Sequence, residues 1–321
     1  MQKMKAVVCT KYGSPEVLKV TEFEKPTPKE DEILVRLYAT AVTSSDTYLR
    51  RLNVLPFYMR IMAGLFVGFG KPRNPILGMI ISGEVEKTGS NVTRFKKGDK
   101  IFGTTVISGT KTNLGTYAEY KCLPEQSYVS HIPSNLDFIG AAAIAYGGSI
   151  ALWCLEKTAF PCQSAESANN LKILIYGASG SVGTSLIQIA KACGAEVTGV
   201  CSTSNFELVK SLGATYTIDY SKEDFTERDD RWDIIIDAVG FKKSQPYIKN
   251  YRRILAPHGK FHSVDQGSPK NSIEYMNSVR QLAEKDILKP VIDKIYTIDE
   301  IIEAHEYVDK GHKKGNVVIR I

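Results

Sequence analysis

Seven residues, Gly177-Ala178-Ser179-Gly180-Ser181-Val182-Gly183, have the types and spacing to hold an anion. The apolar run Leu171 to Tyr176 breaks into them and resumes as Val182, Leu186, Ile189, Ala190 and Cys193 on one helical face, which predicts strand, tight turn and helix. Such a turn aims backbone N–H groups and the positive end of the helix dipole at an anion, and missing or small side chains let a pyrophosphate reach the backbone. In the dinucleotide fingerprint of glycine, any, glycine, any, any, glycine, Gly180 and Gly183 fill the second and third places, Ala178 the first, with Gly177 just upstream. Ser179, Gly180, Ser181, Val182 and Gly183 are the expected cofactor contacts.

An ordinary glycine turn could carry the same residues, so the neighbours decide. A strand at 196–201, a helix at 206–212 stopped by Gly213, and strands at 216–218 and 234–237 give the alternation of a doubly wound parallel sheet. The end of its second strand discriminates between nicotinamide cofactors: a carboxylate there binds the ribose hydroxyls of NAD, whereas a 2′-phosphate calls for hydroxyls, amides or cations. Cys201-Ser202-Thr203-Ser204-Asn205 has no carboxylate. NADPH (NADP) is therefore the expected cofactor, with Ser202, Thr203 and Asn205 as contacts, although these residues would also cap the next helix.

The rest of the chain must position this turn. With 321 residues, 43% hydrophobic and 24% charged, it is long enough for two domains with separate cores. Its 41 basic and 35 acidic residues are interspersed and leave a net charge of +6, so no basic patch points to a nucleic-acid partner. Six cysteines without a CxxC pair read as small core residues in a reducing compartment. Residues 1–10 alternate like a strand and lack a signal peptide's apolar region, so a cytoplasmic location is expected. The apolar stretch 54–70 contains Pro56, Arg60 and three glycines and is too short to span a bilayer. No transmembrane segment is expected there; a hydrophobic flap over a substrate pocket, or a membrane-surface or partner contact, is.

The first part reads as β-rich, with strands at 5–9, 18–21, 33–41, 80–87, 100–102 and 117–122. A helix follows Pro133, where Ser134 and Asp137 resemble a capping box, and Gly147-Gly148 predicts a hinge or a helix-to-helix turn. Residues 163–170 read as a surface loop. After a last sheet strand at 260–264 come a helix at 273–284, a strand at 291–296, a helix opened by Thr297 and Glu300, and a strand at 317–320.

Met4-Lys5-Ala6-Val7-Val8, Leu77-Gly78 with Gly83-Glu84-Val85, Gly98-Asp99, Gly180 to Gly183, Leu212-Gly213-Ala214 and Asp237-Ala238-Val239-Gly240 together resemble the medium-chain dehydrogenase/reductase superfamily over nearly the whole chain. Within it the chain looks like the zinc-independent NADPH:quinone oxidoreductase branch. The resemblance implies an α/β fold: a GroES-like β-rich catalytic domain (1–125 and 288–321) plus a Rossmann-type doubly wound parallel sheet domain (126–287). Zinc alcohol dehydrogenases of the superfamily carry a Cys shortly before an Asp and a later Gly-His-Glu. Here Thr43 precedes Asp46, and the second motif reads Gly78-Met79-Ile80. No metal site and no zinc are expected. Without a Lewis acid, the expected acceptors delocalise incoming charge themselves: a quinone or an α,β-unsaturated carbonyl compound, both small molecules. The alternatives are an NAD(P)-dependent alcohol/aldehyde dehydrogenase and a non-catalytic NADPH-binding or membrane-associated protein.

The resemblance also carries residue roles. Asp46-Thr47-Tyr48 matches the quinone reductases' Asp-Thr-Tyr, which implies Tyr48 as oxyanion donor or proton source and Asp46 as its orienting neighbour, the catalytic pair. Tyr220 matches a tyrosine beside the adenosine phosphate. Val239 with Gly240, and His262 to Val264, match positions at the nicotinamide half, while Lys314 and Asn316 lie in the tail segment that approaches the cofactor in relatives. A lysine that relatives place after the second strand is not evident here. Relatives also place a dimer-forming strand before the tail helix, but only about eight residues separate Val264 from Ile273. A monomer or an atypical homodimer is expected.

Overall fold

The regular structure of the described residues up to 131 is mostly strand. In β1 (Lys3–Cys9) Met4, Ala6 and Val7 are buried while Lys3 and Lys5 are exposed, and the strand pairs antiparallel with β2 (Leu18–Glu24), Val7 opposite Val20. Strand β3 (Glu32–Val42) is the spine of a larger sheet. Beyond it the short helix α1 (Ser44–Arg50), which apolar periodicity did not predict, leads on to β4 (Ile80–Thr88), β5 (Lys100–Thr104), the hairpin of β6 (Val106–Ile107) and β7 (Lys111–Thr112), β8 (Tyr120–Pro124) and β9 (Tyr128–His131). The computed structural model describes residues 2–52, 61, 64–65, 67–107, 111–162, 166–269 and 272–321. Most of the apolar stretch 54–70, and positions 163–165 of the expected loop, therefore lie outside the described residues.

Helix α2 (Phe138–Lys157) corrects two expectations. Its first turn is capped by Asp137, whose Oδ1 accepts from the N–H of Gly140 at 2.7 Å, rather than by a box opened at Ser134. It also runs unbroken through Gly147 and Gly148, so the pair forms no helix-to-helix turn. Packing is the reason: a Cβ on Gly147 would stand 2.4 Å from the carbonyl oxygen of Ser181, and one on Gly148 2.9 Å from Val279. Glycine costs a helix about 1 kcal/mol in propensity, and here it admits neighbours that no side chain would allow. By length and composition α2 could cross a membrane, yet 72% of its most apolar window is buried inside the protein, as in a core helix.

Strands β10 (Lys172–Tyr176), β11 (Glu196–Cys201), β12 (Tyr216–Asp219), β13 (Trp232–Asp237) and β14 (Leu255–Ser263) form one parallel sheet in the order β12-β11-β10-β13-β14. Their apolar runs are continuous because helices cover both faces: α3 (Ser181–Ala192), α4 (Phe206–Ser211), α5 (Phe241–Ile248) and α6 (Ser272–Glu284) alternate with them. Strand β14 is an edge, and among the described residues no strand lies between it and α6. The chain closes with β15 (Ile292–Thr297), α7 (Ile301–Asp309), reached through the capping box of Thr297 and Glu300, and β16 (Asn316–Arg320), which pairs antiparallel with β3. Two compact units result, Met1–Ala145 with Ile292–Ile321, and Tyr146–Val291.

Cys162 and Cys193 form a disulfide across 31 residues, with Cα atoms 5.4 Å apart, which corrects the reading of all six cysteines as unpaired. The bond ties the segment after α2 to the C-cap of α3. Alkylation of the denatured, unreduced chain is expected to label four thiols, those of Cys9, Cys122, Cys154 and Cys201, and six after reduction.

Candidate cofactor and acceptor site

The glycine turn sits at the C-terminal end of β10, where the strand order reverses between β10 and β13, the switch point at which doubly wound sheets bind ligands. Gly177 takes φ +79°, and a Cβ there would meet the Cγ2 of Val239 at 2.5 Å. At Gly183 a Cβ would lie 2.2 Å from the carbonyl oxygen of Gly177, so only glycine lets α3 cross the strand end this closely. Gly180 differs. It is the N-cap of α3 with extended backbone (φ −81°, ψ 177°), and among the described residues the only atom near a Cβ would be the Gly177 oxygen at 3.5 Å. That open side, at a helix N-terminus with its N–H donors and positive dipole end, is a cradle that fits a pyrophosphate.

Beside it, the ends of β10 and β11 bring three of the expected residues, Ser179, Ser202 and Asn205, together. The Nδ2 of Asn205 donates to Ser179 Oγ at 3.2 Å and to Ser202 Oγ at 3.0 Å, and the hydroxyls of Ser202 and Ser204 are 3.2 Å apart. The Oδ1 of Asn205 is buried without a partner among the described residues. Thr203 turns the other way: its N–H donates to Asp219 Oδ2 at 2.9 Å, and its hydroxyl donates to the same oxygen. The N–H and hydroxyl of Ser221 donate to Asp219 Oδ1 at 2.9 and 2.6 Å. These bonds, from Ser221 first and Thr203 next, hold the Asp219 carboxyl well below the usual carboxylate range. Tyr220 follows directly, edge-on to Tyr247 with ring centroids 5.1 Å apart.

Asp219 escaped the sequence reading. Its partner loop belongs to the neighbouring strand, and the local signal was an Asp two residues before a Ser, the pattern of an Asx turn.

On the other side of the switch point, Val239, two residues past β13, has 42% of its surface exposed, and its N–H donates to Asp237 Oδ1 at 3.0 Å. The N–H of Val264 donates to the Asp237 carbonyl at 3.0 Å. Asp237 itself is buried and accepts from Ser244 and Ser263, a brace for these strand ends. His262 is 7% exposed: its ring packs edge-on against Trp153, centroids 4.8 Å apart, and burial lowers its pKa.

Asp46, Tyr48 and Asn316 belong to the first unit. Asn316 opens β16 and is 9% exposed, and the N–H of Lys314 donates to Asp293 at 2.8 Å. Tyr48 stands on α1 with half its surface exposed. Asp46, two residues earlier, falls on the opposite face of the helix. Its Oδ2 accepts from the N–H and the hydroxyl of Thr43 at 2.8 and 2.6 Å, and the Asp46 N–H donates back to the Thr43 hydroxyl at 3.3 Å. Asp46 therefore fixes where α1 begins, and with it where Tyr48 stands.

Burial raises the Asp46 pKa from 3.8 to about 6, against the opposing pull of the Thr43 bonds. The folded state then binds this proton more tightly than the unfolded chain does, so stability falls as pH rises from about 4 through 6, by on the order of 3 kcal/mol. Asp46→Asn keeps one acceptor for Thr43 and is expected to flatten that dependence in urea unfolding between about pH 4 and 6.5. An unchanged slope would place its origin elsewhere.

The chain matches the alcohol dehydrogenase GroES-like domain over residues 29–134 and the zinc-binding dehydrogenase domain over 181–299. It is 32% identical over 333 residues to a 2-methylene-furan-3-one reductase of Solanum lycopersicum, covering 99% of this chain and 79% of that protein. It belongs to the medium-chain dehydrogenase/reductase superfamily. Within that superfamily it falls in the quinone oxidoreductase branch. An NADPH-dependent alkenal/one oxidoreductase of Arabidopsis thaliana is 28% identical, covering 99% of this chain and 80% of that one. The quinone oxidoreductase from Coxiella burnetii superposes with a TM-score of 0.81 at 25% identity and full coverage of both chains. The superfamily's two parts, the GroES-like domain and the Rossmann-type sheet, are the α/β fold described above.

Proposed function

We propose that this chain is an NADPH-dependent reductase that transfers hydride, without zinc, to a quinone or to an α,β-unsaturated carbonyl compound. The observation that carries the reading is the open cradle at Gly180 joined to a loop of hydroxyls and one amide, since neutral donors suit a 2′-phosphate. Relatives whose names specify NADPH and enone or quinone substrates support it.

Zinc does not fit the residues present. At the two positions where zinc-binding relatives supply ligands stand Thr43, whose hydroxyl is spent on Asp46, and Met79, a thioether buried in an apolar cluster. Neither offers the thiolate or imidazole that tetrahedral zinc requires.

When bound, the reduced nicotinamide supplies a hydride. With an enone the hydride adds to the β-carbon, the electron pair moves to the carbonyl oxygen, and a proton completes the α-carbon; with a quinone, hydride and proton give the hydroquinone. Gly180 and α3 would hold the pyrophosphate, and Ser179, Ser202 and Asn205 the adenosine phosphate. The exposed Val239 would offer an apolar surface that excludes water, and Tyr48 would donate a hydrogen bond to the developing oxyanion.

A direct assay follows reduced-nicotinamide absorbance with NADPH or NADH against quinones, enones and simple aldehydes, with and without chelator. Turnover of quinones or enones with NADPH that ignores the chelator is expected. Chelator-sensitive aldehyde reduction would refute the zinc-free reading and favour an alcohol dehydrogenase.

A further inference from the structure

We propose that Asp219 is the positioning residue that shapes the loop after β11 for a 2′-phosphate, so that a carboxylate which never touches the cofactor sets the preference for NADPH over NADH. This rests on the NADPH reading above.

A carboxylate beside the adenosine ribose ordinarily selects the unphosphorylated cofactor, because it accepts from the ribose hydroxyls and repels a phosphate. Asp219 stands one strand from that position. It is the register partner of Cys201, the last residue of β11, and so leaves the sheet one strand from the loop. Its acceptor capacity, however, is turned inward. An ionised carboxylate has about four lone-pair sites. Four donors from Thr203 and Ser221 occupy them.

The consequence for the loop is geometric. Thr203 is pinned by both its N–H and its hydroxyl, and the flanking Ser202 and Ser204 then meet each other at 3.2 Å and join Asn205 and Ser179 in one connected polar set. That set is uncharged, and its hydroxyl hydrogens can turn towards phosphate oxygens. Asn205 spends both Nδ2 hydrogens on Ser179 and Ser202, so it fixes the two hydroxyls, and the hydroxyls are the groups left to face a phosphate. Discrimination by neutral donors depends on their placement, and Asp219 supplies the placement.

An Asn at 219 would present one acceptor oxygen and one NH2 group to four donors, so at least two of them lose their partner. Thr203→Val keeps the carboxylate and the shape of residue 203 but removes one of the two bonds that pin it, which loosens Ser202 and Ser204. Both changes push in the same direction, away from the phosphorylated cofactor.

The test is the dissociation constants of NADPH and NADH for the full chain, read by reduced-nicotinamide fluorescence, in the wild type, Asp219→Asn and Thr203→Val. The wild type is expected to prefer NADPH. Each variant is expected to weaken NADPH about tenfold, the effect of losing a charge-assisted hydrogen bond, and to leave NADH within about twofold. Tighter NADPH binding by Asp219→Asn would make the carboxylate a simple repeller and overturn the proposal, as would parallel weakening of both cofactors or an unchanged ratio. If circular dichroism shows Asp219→Asn unfolded, Thr203→Val decides on the same criteria. A wild type that binds neither cofactor overturns the NADPH reading and the role of Asp219 together; one that binds NADPH while neither variant shifts the ratio overturns the role of Asp219 alone.

Discussion

Gly183→Ala is expected to destabilise the second unit by about 3 kcal/mol or more and to abolish cofactor binding. The added Cβ would sit 2.2 Å from the Gly177 oxygen and 2.8 Å from the backbone of Ala178, so neither contact can be relieved by turning a side chain. The helix must lift off the strand end, and overpacking of this kind typically costs about 1–3 kcal/mol, more against backbone. In a domain of this size that lowers Tm by roughly 10 °C. Gly180→Ala is the control. Its Cβ meets nothing closer than 3.5 Å, so stability should hold within about 0.5 kcal/mol, while NADPH binding weakens because the methyl group enters the cradle. Urea unfolding and NADPH titration of both variants separate the two effects. Equal losses of stability in both would mean that the two glycines do not divide the work of crossing and cradle.

Tyr48→Phe is expected to lower kcat by about 10²–10³ while leaving NADPH affinity and thermal stability in place. The first figure is the usual cost of removing one donor to a developing oxyanion. The second expectation follows from exposure: the side chain is half exposed, and helix α1 owes its start to Thr43 and Asp46, not to the phenol. The loss should fall on kcat rather than KM, because the hydroxyl meets charge that exists only in the transition state. A kcat within twofold of wild type would remove Tyr48 from the chemistry and leave it a surface phenol.

What could be read in the sequence was what is local. The turn from Gly177 to Gly183 declares itself because strand, glycines and helix are contiguous, and the parallel strands do so because burial on both faces leaves unbroken apolar runs such as Ile173-Leu174-Ile175. Contacts between distant segments stayed hidden. Helix α1 has seven mostly polar residues and no apolar stripe, and its start depends on a reciprocal bond between Thr43 and Asp46. Gly147 and Gly148 looked like a break because glycine is a poor helix former; the close passage of Ser181 and Val279, distant in sequence, is what requires them. The partnering of Cys162 with Cys193, and of Asp219 with Thr203, likewise joins segments that no spacing rule connects. The edge-on packing of His262 on Trp153 is another contact between distant segments.

Stereospecifically deuterated NADPH offers the most direct test of the central claim. Incubated with an enone and the purified chain, cofactor deuterated at the transferred C4 position is expected to deliver its label to the β-carbon of the saturated product, with solvent hydrogen at the α-carbon. A product that carries no cofactor deuterium, or turnover that proceeds without NADPH, would contradict hydride transfer as the function of this fold.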